Sequence, residues 1–323
     1  MQIGEVSSQV YRQHVFPKII FDTVEFNELN KYKVKKVHYY LFGEKKKYFA
    51  LSLGEGNDQD FYNPYSAPFA SWVNLRKNWT LEQLEEAVGA FDRFAHDHMK
   101  SVQFIFPPEF YEPKMIAGLL NILLRYGYSI SWQDLNYAID LHQYTEKNYV
   151  HQIRQNARKN LRQALSNGLS LAPCIDLEMK KEAYRIIAIN REERGYPLRM
   201  SWDQVRETIG IVSHEFFLVK YNDISVAAAI VFHVMDEIAQ VIYWGNILEY
   251  NSLRSINYLA FQLVEFYKEK GFHYLDIGPS SEKGNLNYGL CDFKDGIGCF
   301  ASSKFVLNKI FYRLLFDFQV HIV

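Results

Sequence analysis

The chain has 323 residues and a formal net charge of −1 at pH 7, so no global field draws it toward nucleic acid or anionic lipid. Hydrophobic residues make up 48% of the chain and charged residues 23%, which is typical of a globular chain with a buried core and excludes a disordered one. On a prior of roughly 100–200 residues per domain, this length predicts two domains.

The cysteines and the N-terminal segment indicate in which cellular compartment the protein is expected. Cys174, Cys291 and Cys299 form no C-x-x-C pair, so we predict free thiols in a reducing compartment and neither a disulfide framework nor a zinc site. The N-terminus lacks a basic region followed by an apolar run, and no stretch reaches the ~18–20 apolar residues of a membrane span. We therefore expect a cytoplasmic protein without a membrane span.

The first half predicts elements in the order β-β-β-α-β-α-β. Two β-rich runs joined by the turn GEKKK predict a hairpin, and Thr80 is placed to cap a long helix. The predicted elements are the strands VHYYLF, YFALSL and FASWV, the helix TLEQLEEAVGAFDRFAHDHM, the strand VQFIFPP, the helix PKMIAGLLNILLRYGY and the strand ISWQDLNYAIDL.

The second half predicts a comparable series. A helix from Glu146 is closed by Gly168 in the C′ position, and turns are predicted at Asn222-Asp223 and Asp236-Glu237. After that helix come the strand LSLAPC, the helix DLEMKKEAYRIIAINREERGY, three strands in EFFLVKYNDISVAAAIVFHVMDEIAQVIYWG, the helix SLRSINYLAFQLVEFYKEKG, the strand FHYLDIG, a glycine-rich loop and a last helix or strand SSKFVLNKIFYRLLF.

The order of elements in the first half returns in the second. A duplicated α+β unit of about 150 residues fits the length better than one continuous sheet. We therefore predict an N-terminal domain over residues 1–145 and a C-terminal domain over residues 146–323, with the border near Glu146.

The segment NYGLCDFKDGIGCF, from Asn287 to Phe300, places one lysine, Lys294, between two aspartates among three glycines. Glycine permits backbone conformations that other residues avoid. The segment therefore predicts a tight turn or the close approach of another molecule.

These patterns resemble a known family. The three-strand meander, helix and strand FHYLDIG resemble the GCN-five-related acetyltransferase (GNAT) fold, and their duplication resembles the Fem-type tandem N-acyltransferases. The motifs are an Arg/Lys-rich helix running into A-x-x-x-G, then G-x-x-x-x-D-x-G, then G-L-x-x-F-K-x-x-x-G. Here they are Ala164 to Gly168, Gly271 to Gly278 with Asp276, and Gly289 to Gly298 with Phe293 and Lys294.

The resemblance implies two tandem GNAT-like domains, each a mixed, mostly antiparallel sheet flanked by helices. It also implies transfer of an acyl or aminoacyl group to an amine, from acyl-CoA such as acetyl-CoA or from aminoacyl-tRNA, with no tightly bound cofactor. CoA-binding members usually carry R/Q-x-x-G-x-G/A before the helix that follows the meander, where this chain has Asn251 to Asn257 without a glycine. Asn251, Ser252 and Arg254 are the predicted donor-binding residues; the missing glycines favour tRNA, whereas the merely local basic patch favours CoA.

Lys294 is the first predicted catalytic residue. A fixed cation in a partly dry site can meet the negative charge that develops on a tetrahedral intermediate or on a substrate phosphate. The resemblance adds Phe293 as the packing wall that positions it. The structural alternative is a surface lysine that pairs with Asp292 and Asp295.

An arginine stripe is the second candidate. Arg154, Arg158 and Arg162 recur every four residues, and like charges at this spacing favour an anionic partner or full solvation. Guanidinium groups suit phosphate, so this stripe could take an RNA acceptor end, coenzyme A or a nucleotide-sugar. The alternatives are a solvated basic face or pairing with carboxylates of the other domain.

Three further residues complete the predicted site. Asp276 ends a strand and could deprotonate or orient the attacking amine, or it could cap the next turn through Ser280 or Ser281. Tyr243 and Trp244 could wall the acyl pocket or be ordinary core aromatics. His96 and His98 point to different sides of one helix, so no metal site is predicted.

The sequence thus predicts an N-acyltransferase, with direct transfer in a groove between the halves and a role in cell-wall or surface-polysaccharide precursor metabolism. The predicted partners are a small-molecule or peptide amine and, where aminoacyl-tRNA is the donor, tRNA, without DNA; the oligomeric state is left open. The alternative is a catalytically silent GNAT-fold module that binds a nucleotide- or sugar-linked ligand.

Overall fold

The computed structural model describes residues 1–144 and 148–312. The chain divides into two compact units. Unit 1 contains Met1–Pro17, Phe21–Trp132 and the chain from Phe305, and unit 2 contains Lys18–Ile20 and Gln133–Lys304. Among the described residues, none of the helices combines the length and apolar character that crossing a bilayer requires.

Unit 1 is a mixed sheet with helices. Its elements are β1 (Ile3–Val6), α1 (Ser8–His14), α2 (Val24–Asn30), β2 (Lys36–Phe42), β3 (Phe49–Glu55), β4 (Asp60–Asn63), β5 (Val73–Asn74), α3 (Leu81–His98), β6 (Ser101–Ile105) and α4 (Pro113–Arg125). The strand order is β1-β2-β3-β4-β6, followed by the end of the last strand of the chain, and only the β4 and β6 pair is parallel. The core lies between this sheet and the apolar faces of α3 and α4.

Unit 2 repeats this plan. Its elements are β7 (Ser129–Asp140), α5 (Tyr149–Gln152), α6 (Gln155–Ser166), β8 (Ser170–Pro173), α7 (Leu177–Glu193), α8 (Trp202–Ile209), β9 (His214–Tyr221), β10 (Ile224–Met235), β11 (Ile238–Asn246), α9 (Ser255–Glu269), β12 (Tyr274–Pro279), β13 (Ser281–Glu282), β14 (Asn285–Leu286), α10 (Tyr288–Gly296) and β15 (Phe300–Ile310). The first residues of β7, up to Trp132, and the second part of β15, from Phe305, belong to unit 1. The strand order is β7-β12-β11-β10-β9-β8, in which β11 and β12 are the parallel pair. The predicted α+β class, with a mostly antiparallel sheet flanked by helices, is confirmed.

The final strand of each repeat explains why the two units interleave in the sequence. After α4 the chain enters β7, which pairs with β12 of unit 2, and after α10 it enters β15, whose second part pairs with β6 of unit 1. The predicted border at Glu146 lies outside the described residues and stays a prediction. Of the predicted last element, residues 313–316 also lie outside them, and the described part is the strand β15.

Most predicted elements are confirmed. The β2 and β3 hairpin forms, Thr80 caps α3 and exchanges hydrogen bonds with Gln83, and the turn at Asn222-Asp223 has positive φ at both residues. Gly168 follows α6 with φ +69°, as a C′ glycine does. FASWV was predicted as a strand, but only Val73 of it belongs to one.

Two predictions near the candidate site are wrong. The helix expected from Glu146 through Gly168 is broken, because Ile153 and Arg154 are extended and the Arg154 amide donates 3.0 Å to the Gly296 carbonyl instead of continuing a helix. The glycine-rich segment was predicted as a loop and instead forms α10. The Asn287 side chain caps this helix by accepting a hydrogen bond from the Leu290 amide. Helix α10 packs on α6, and a Cβ on Gly296 would lie 3.7 Å from the Ala157 side chain.

Candidate functional site

The site lies where β11 and β12 part. The two strands pair in parallel at only three positions, of which the last joins Gln240 to Asp276. Beyond this pair β11 continues to Asn246 and β12 to Pro279, and no further pairing joins them among the described residues. The end of each strand is therefore available to side chains from elsewhere in unit 2.

α10 contacts both strand ends. The Phe293 ring lies 6.0 Å from that of Trp244 on β11, at a steep angle. The next residue, Lys294, donates from its ammonium to the carbonyls of Gly278 at 2.8 Å and Pro279 at 2.9 Å, both on β12. This helix thus spans the point where the strands separate.

Lys294 is a buried cation, which excludes the surface pairing considered above. Its side chain is only 2% exposed, and the Tyr137 ring lies 5.6 Å from its ammonium. Burial lowers the pKa of Lys294 from 10.5 to about 8, although Cys299 and the Asp276 carboxylate act in the opposite direction. A cation of this kind can still lose its proton near neutral pH.

Asp276 is held by neutral donors. It is 0% exposed, and its oxygens accept hydrogen bonds from Asn136 at 2.9 Å, Gln240 at 2.8 Å and the Gly278 amide at 2.8 Å. Asp276 caps the following turn by accepting from the Gly278 amide, whereas the sequence suggested that Ser280 or Ser281 would be the partner. This arrangement ties β7, β11 and β12 together at the point of separation.

A buried polar row crosses the sheet of unit 2 here. Asn136, Asp276 and Gln240 are joined by the hydrogen bonds just described. Asp134 lies two residues before Asn136, hence on the same face of β7, and the charges of Asp134 and Asp276 both act on Lys304 of β15. The row comprises Asp134, Asn136, Gln240, Asp276 and Lys304, all buried. It is unusual because strand interiors are normally apolar.

Sequence reasoning missed most of this row. Gln240 is one polar residue within the apolar run IAQVIYW, and Asp134 and Asn136 alternate along β7. Polar side chains in a strand that is otherwise buried were the available signal. No signal in the sequence indicated which strands lie side by side, because strand pairing joins residues that are distant in the sequence.

The arginine stripe is largely engaged within unit 2. Arg154 lies 3.0 Å from Asp295 and 3.9 Å from Asp292, on an exposed surface. Arg158 donates to the carbonyls of His151 at 2.9 Å and Ile153 at 3.2 Å, which the broken helix leaves open. Arg162 is exposed. The three residues therefore do not form one row of free guanidinium groups.

The predicted donor-binding residues form the turn before α9. Arg254 has φ +57° and precedes the helix, and its amide donates to the Asn251 carbonyl at 3.1 Å. Gln163 of α6 donates to the Ser252 carbonyl at 3.0 Å, which fixes the turn from outside. Side chains and internal hydrogen bonds thus occupy positions where a glycine-rich loop would offer bare amides to a phosphate.

Tyr243 and Trp244, near the end of β11, have separate surroundings. Trp244 packs on Phe293, as described above. The Tyr243 ring lies 5.8 Å from the Arg191 guanidinium, and burial raises the pKa of Tyr243. Of the two, only Trp244 contacts α10 through its ring.

Two surface cavities lie in unit 1, with volumes of about 450 and 330 Å³. Glu5, Glu28 and Lys36 are among the residues that line the larger one, and the smaller lies beside α3. None of the predicted site residues lines either cavity, and the candidate site is therefore placed at the polar row and α10.

No protein-family model matches the sequence, and no curated protein sequence matches it. Among solved structures, FemX matches with a TM-score of 0.70 at 12% identity, over 96% of this chain and 97% of FemX. The chain has the Fem-type tandem GNAT fold.

Two further structures share this fold. The C-terminal domain of a putative lysylphosphatidylglycerol synthetase from Agrobacterium fabrum matches with a TM-score of 0.61 at 11% identity, over 94% of this chain and 92% of that one. A tandem GNAT protein from the clavulanic acid biosynthesis pathway matches with a TM-score of 0.50 at 9% identity, over 86% and 84%. At these identities the shared property is the fold, and the function depends on the site.

Gly298, just after α10, gives a stability prediction. It has φ +88°, and a Cβ there would lie 2.5 Å from the Tyr144 hydroxyl, which donates to the Gly298 carbonyl. We expect Gly298→Ala to lower the free energy of unfolding by about 2 kcal/mol or more. Gly289→Ala is the matched control, because a Cβ there meets only the Asn287 side chain at 3.7 Å. It should be neutral or stabilise by about 0.5 kcal/mol in urea unfolding; equal losses in both variants would contradict the prediction.

Proposed function

We propose that this protein is an N-acyltransferase that moves an acyl or aminoacyl group from acyl-CoA or aminoacyl-tRNA to an amine. The observation that carries the proposal is the buried Lys294 ammonium, fixed by two carbonyls of β12 where β11 and β12 part. The fold that the chain shares with FemX and a tandem GNAT protein supports it.

In this proposal the substrate amine attacks the carbonyl carbon of the donor ester or thioester directly. The oxygen of the tetrahedral intermediate gains negative charge, and Lys294 stabilises it as a preorganised cation. The C–N bond forms when the neutral amine adds to the carbonyl carbon, and collapse of the intermediate breaks the C–O bond of an ester or the C–S bond of a thioester. The proton lost by the amine nitrogen goes to the departing alkoxide or thiolate or to solvent. Positioning and charge stabilisation supply most of the rate.

Phe293 and Asp276 have positioning roles in this mechanism. The Phe293 ring packs on Trp244, which fixes the rotation of α10 and hence the direction of the neighbouring lysine. Asp276 already accepts three hydrogen bonds from Asn136, Gln240 and Gly278, so we assign it to holding the strand ends rather than to removing a proton. Arg154 contacts the C-terminal end of α10 through Asp295 and the Gly296 carbonyl, whereas Arg158 is bonded to the carbonyls of His151 and Ile153, so we assign neither a role at the reacting atoms.

The chemical class of the acceptor is also part of this proposal. We propose a small-molecule or peptide amine, of the kind found in cell-wall or surface-polysaccharide precursors. A structure similar in fold to this chain, that of a putative lysylphosphatidylglycerol synthetase, has a name that describes a lipid acceptor, which the transfer assay tests separately.

A second function is favoured by one observation. The turn from Asn251 to Arg254 is filled by side chains and internal hydrogen bonds, which suits a chain that has lost donor binding. The alternative is therefore a catalytically silent module that retains the fold and binds a nucleotide- or sugar-linked ligand.

The experiment is a transfer assay with two donors. We expect labelled acetyl-CoA or labelled aminoacyl-tRNA, but not both, to modify a pool of amine acceptors that includes peptides and amino sugars; phosphatidylglycerol, which carries hydroxyl groups and no amine, is tested as a separate acceptor. The same donor, without its acyl group, should raise the melting temperature, because ligands stabilise the state that they bind. Thermal stabilisation by a nucleotide-sugar without transfer from either donor would support the silent module and contradict the enzyme.

A further inference from the structure

Lys304 is a buried lysine whose ammonium has no internal partner. The residue lies on β15 and is 8% exposed. Within residues 1–144 and 148–312, no group accepts a hydrogen bond from its ammonium and no carboxylate lies within 4 Å of it, and this ammonium is less completely enclosed than the Ser302 hydroxyl, so it keeps some contact with solvent. Burial lowers its pKa, and only the more distant charges of Asp134 and Asp276 act in the opposite direction. A buried cation in this state is unfavourable for folding.

Ser302 adds a second donor on the same face. Side chains two residues apart on a strand point to the same side, so Ser302 and Lys304 share the face that carries the polar row. Ser303 points the other way and accepts from Gln133 at 2.7 Å. The Ser302 hydroxyl is buried, and it too has no hydrogen-bond partner among the described residues. Two donors without partners thus lie side by side on β15.

The neighbouring carboxylates are bonded elsewhere. Asp134 accepts from the Ser281 hydroxyl at 2.7 Å and the Gly284 amide at 3.0 Å, and Asp276 accepts the three hydrogen bonds described above. These short hydrogen bonds to neutral donors hold both carboxylates in place, beyond ion-pair distance of Lys304. The acceptor that would satisfy Lys304 and Ser302 must therefore come from outside the described chain.

We infer that Lys304 and Ser302 form a subsite for a carboxylate group of the substrate. An ammonium and a hydroxyl can together donate to the two oxygens of one carboxylate, and a desolvated, charge-assisted hydrogen bond of this kind is strong. The identity of the ligand as a substrate depends on the proposed function, which would then act on an amino acid, a peptide or an acyl group that bears a free carboxylate.

The local charges favour a carboxylate over a phosphate. Asp134 and Asp276 lie near enough to act on Lys304, so an incoming anion meets their repulsion as well. This repulsion is larger for a dianionic phosphate than for a singly charged carboxylate. A planar group with two oxygens also fits two donors without leaving a third oxygen buried and unbonded.

The test replaces Lys304 by methionine, which keeps most of the volume and removes the charge. Without ligand, Lys304→Met should raise the melting temperature of the full chain by about 2 °C or more, because an uncompensated buried charge is lost. Sodium acetate, compared with sodium chloride at equal ionic strength, should raise the melting temperature of the natural protein and not that of the variant. Ser302→Ala should reduce this acetate effect while retaining the lysine.

Lys309→Met is the matched control on the same strand. The Lys309 ammonium lies 2.6 Å from Asp92 and donates to the Tyr126 carbonyl at 2.7 Å, so this variant should melt lower and keep the acetate effect. The inference is overturned if Lys304→Met melts lower than the natural protein, if acetate still stabilises the variant, or if the part of the stabilisation that is lost in Lys304→Met is larger for phosphate than for acetate, since phosphate also stabilises proteins non-specifically. None of these measurements involves turnover, so the subsite and the transferase proposal can fail separately.

Discussion

Replacing Lys294 by alanine is expected to lower kcat about 10²- to 10³-fold and to change KM little, because the lost charge acts mainly on the transition state. The ammonium is fixed by the Gly278 and Pro279 carbonyls, so it needs little reorganisation during the reaction. The measurement is steady-state transfer with whichever donor is active. Folding is checked by circular dichroism, since the two carbonyls lose a partner in the variant.

The control for this change is Lys283→Ala, in the exposed turn between β13 and β14, which should leave kcat unaltered. The pH dependence of the transfer rate distinguishes a cationic role of Lys294 from a role as a base. Since burial places the pKa of Lys294 at about 8, the cation is present below that pH and is lost above it. The Lys294-dependent rate should therefore fall as pH rises through about 8. A rate that rises through this pH, with the midpoint lost in the alanine variant, would make Lys294 a base and contradict the proposed role.

Asp276 carries the second large expected effect, on stability. Asp276→Ala should lower the free energy of unfolding by about 3 kcal/mol or more, because three buried donors lose their acceptor. Asp276→Asn should lower it by only about 1 kcal/mol. The buried Gln240 amide has an oxygen without a partner among the described residues, and a turn of this amide lets it accept from the new side-chain nitrogen.

Urea unfolding of the three proteins measures this difference. If Asp276 is a positioning residue, the asparagine variant should retain most of the transfer activity, because the strand ends stay joined. Loss of activity by 10²-fold or more in a stably folded Asp276→Asn variant would instead indicate a proton-transfer role. Equal destabilisation by both substitutions would show that Gln240 does not turn.

The sequence alone determined the local elements and their order. Alternating and helical apolar patterns located the strands of the meander and the long helices α3, α4 and α9, and Thr80 and Gly168 set helix ends because capping is a local interaction. The motif residues Asp276, Phe293 and Lys294 were found through the resemblance to the Fem-type family. Such features depend on neighbours a few residues apart, which the sequence displays directly.

Only the tertiary structure decided how these residues act. The sequence left open whether Lys294 pairs with Asp292 and Asp295 at the surface or acts inside a site; α10 directs it inward to β12, and Arg154 forms ion pairs with those two aspartates. The polar row joins residues more than 100 positions apart, such as Asn136 and Asp276, and strand pairing alone brings them together. Burial on this scale removes water from a charge and so changes its pKa, its partners and its chemistry. No pattern within a short stretch of sequence records that environment.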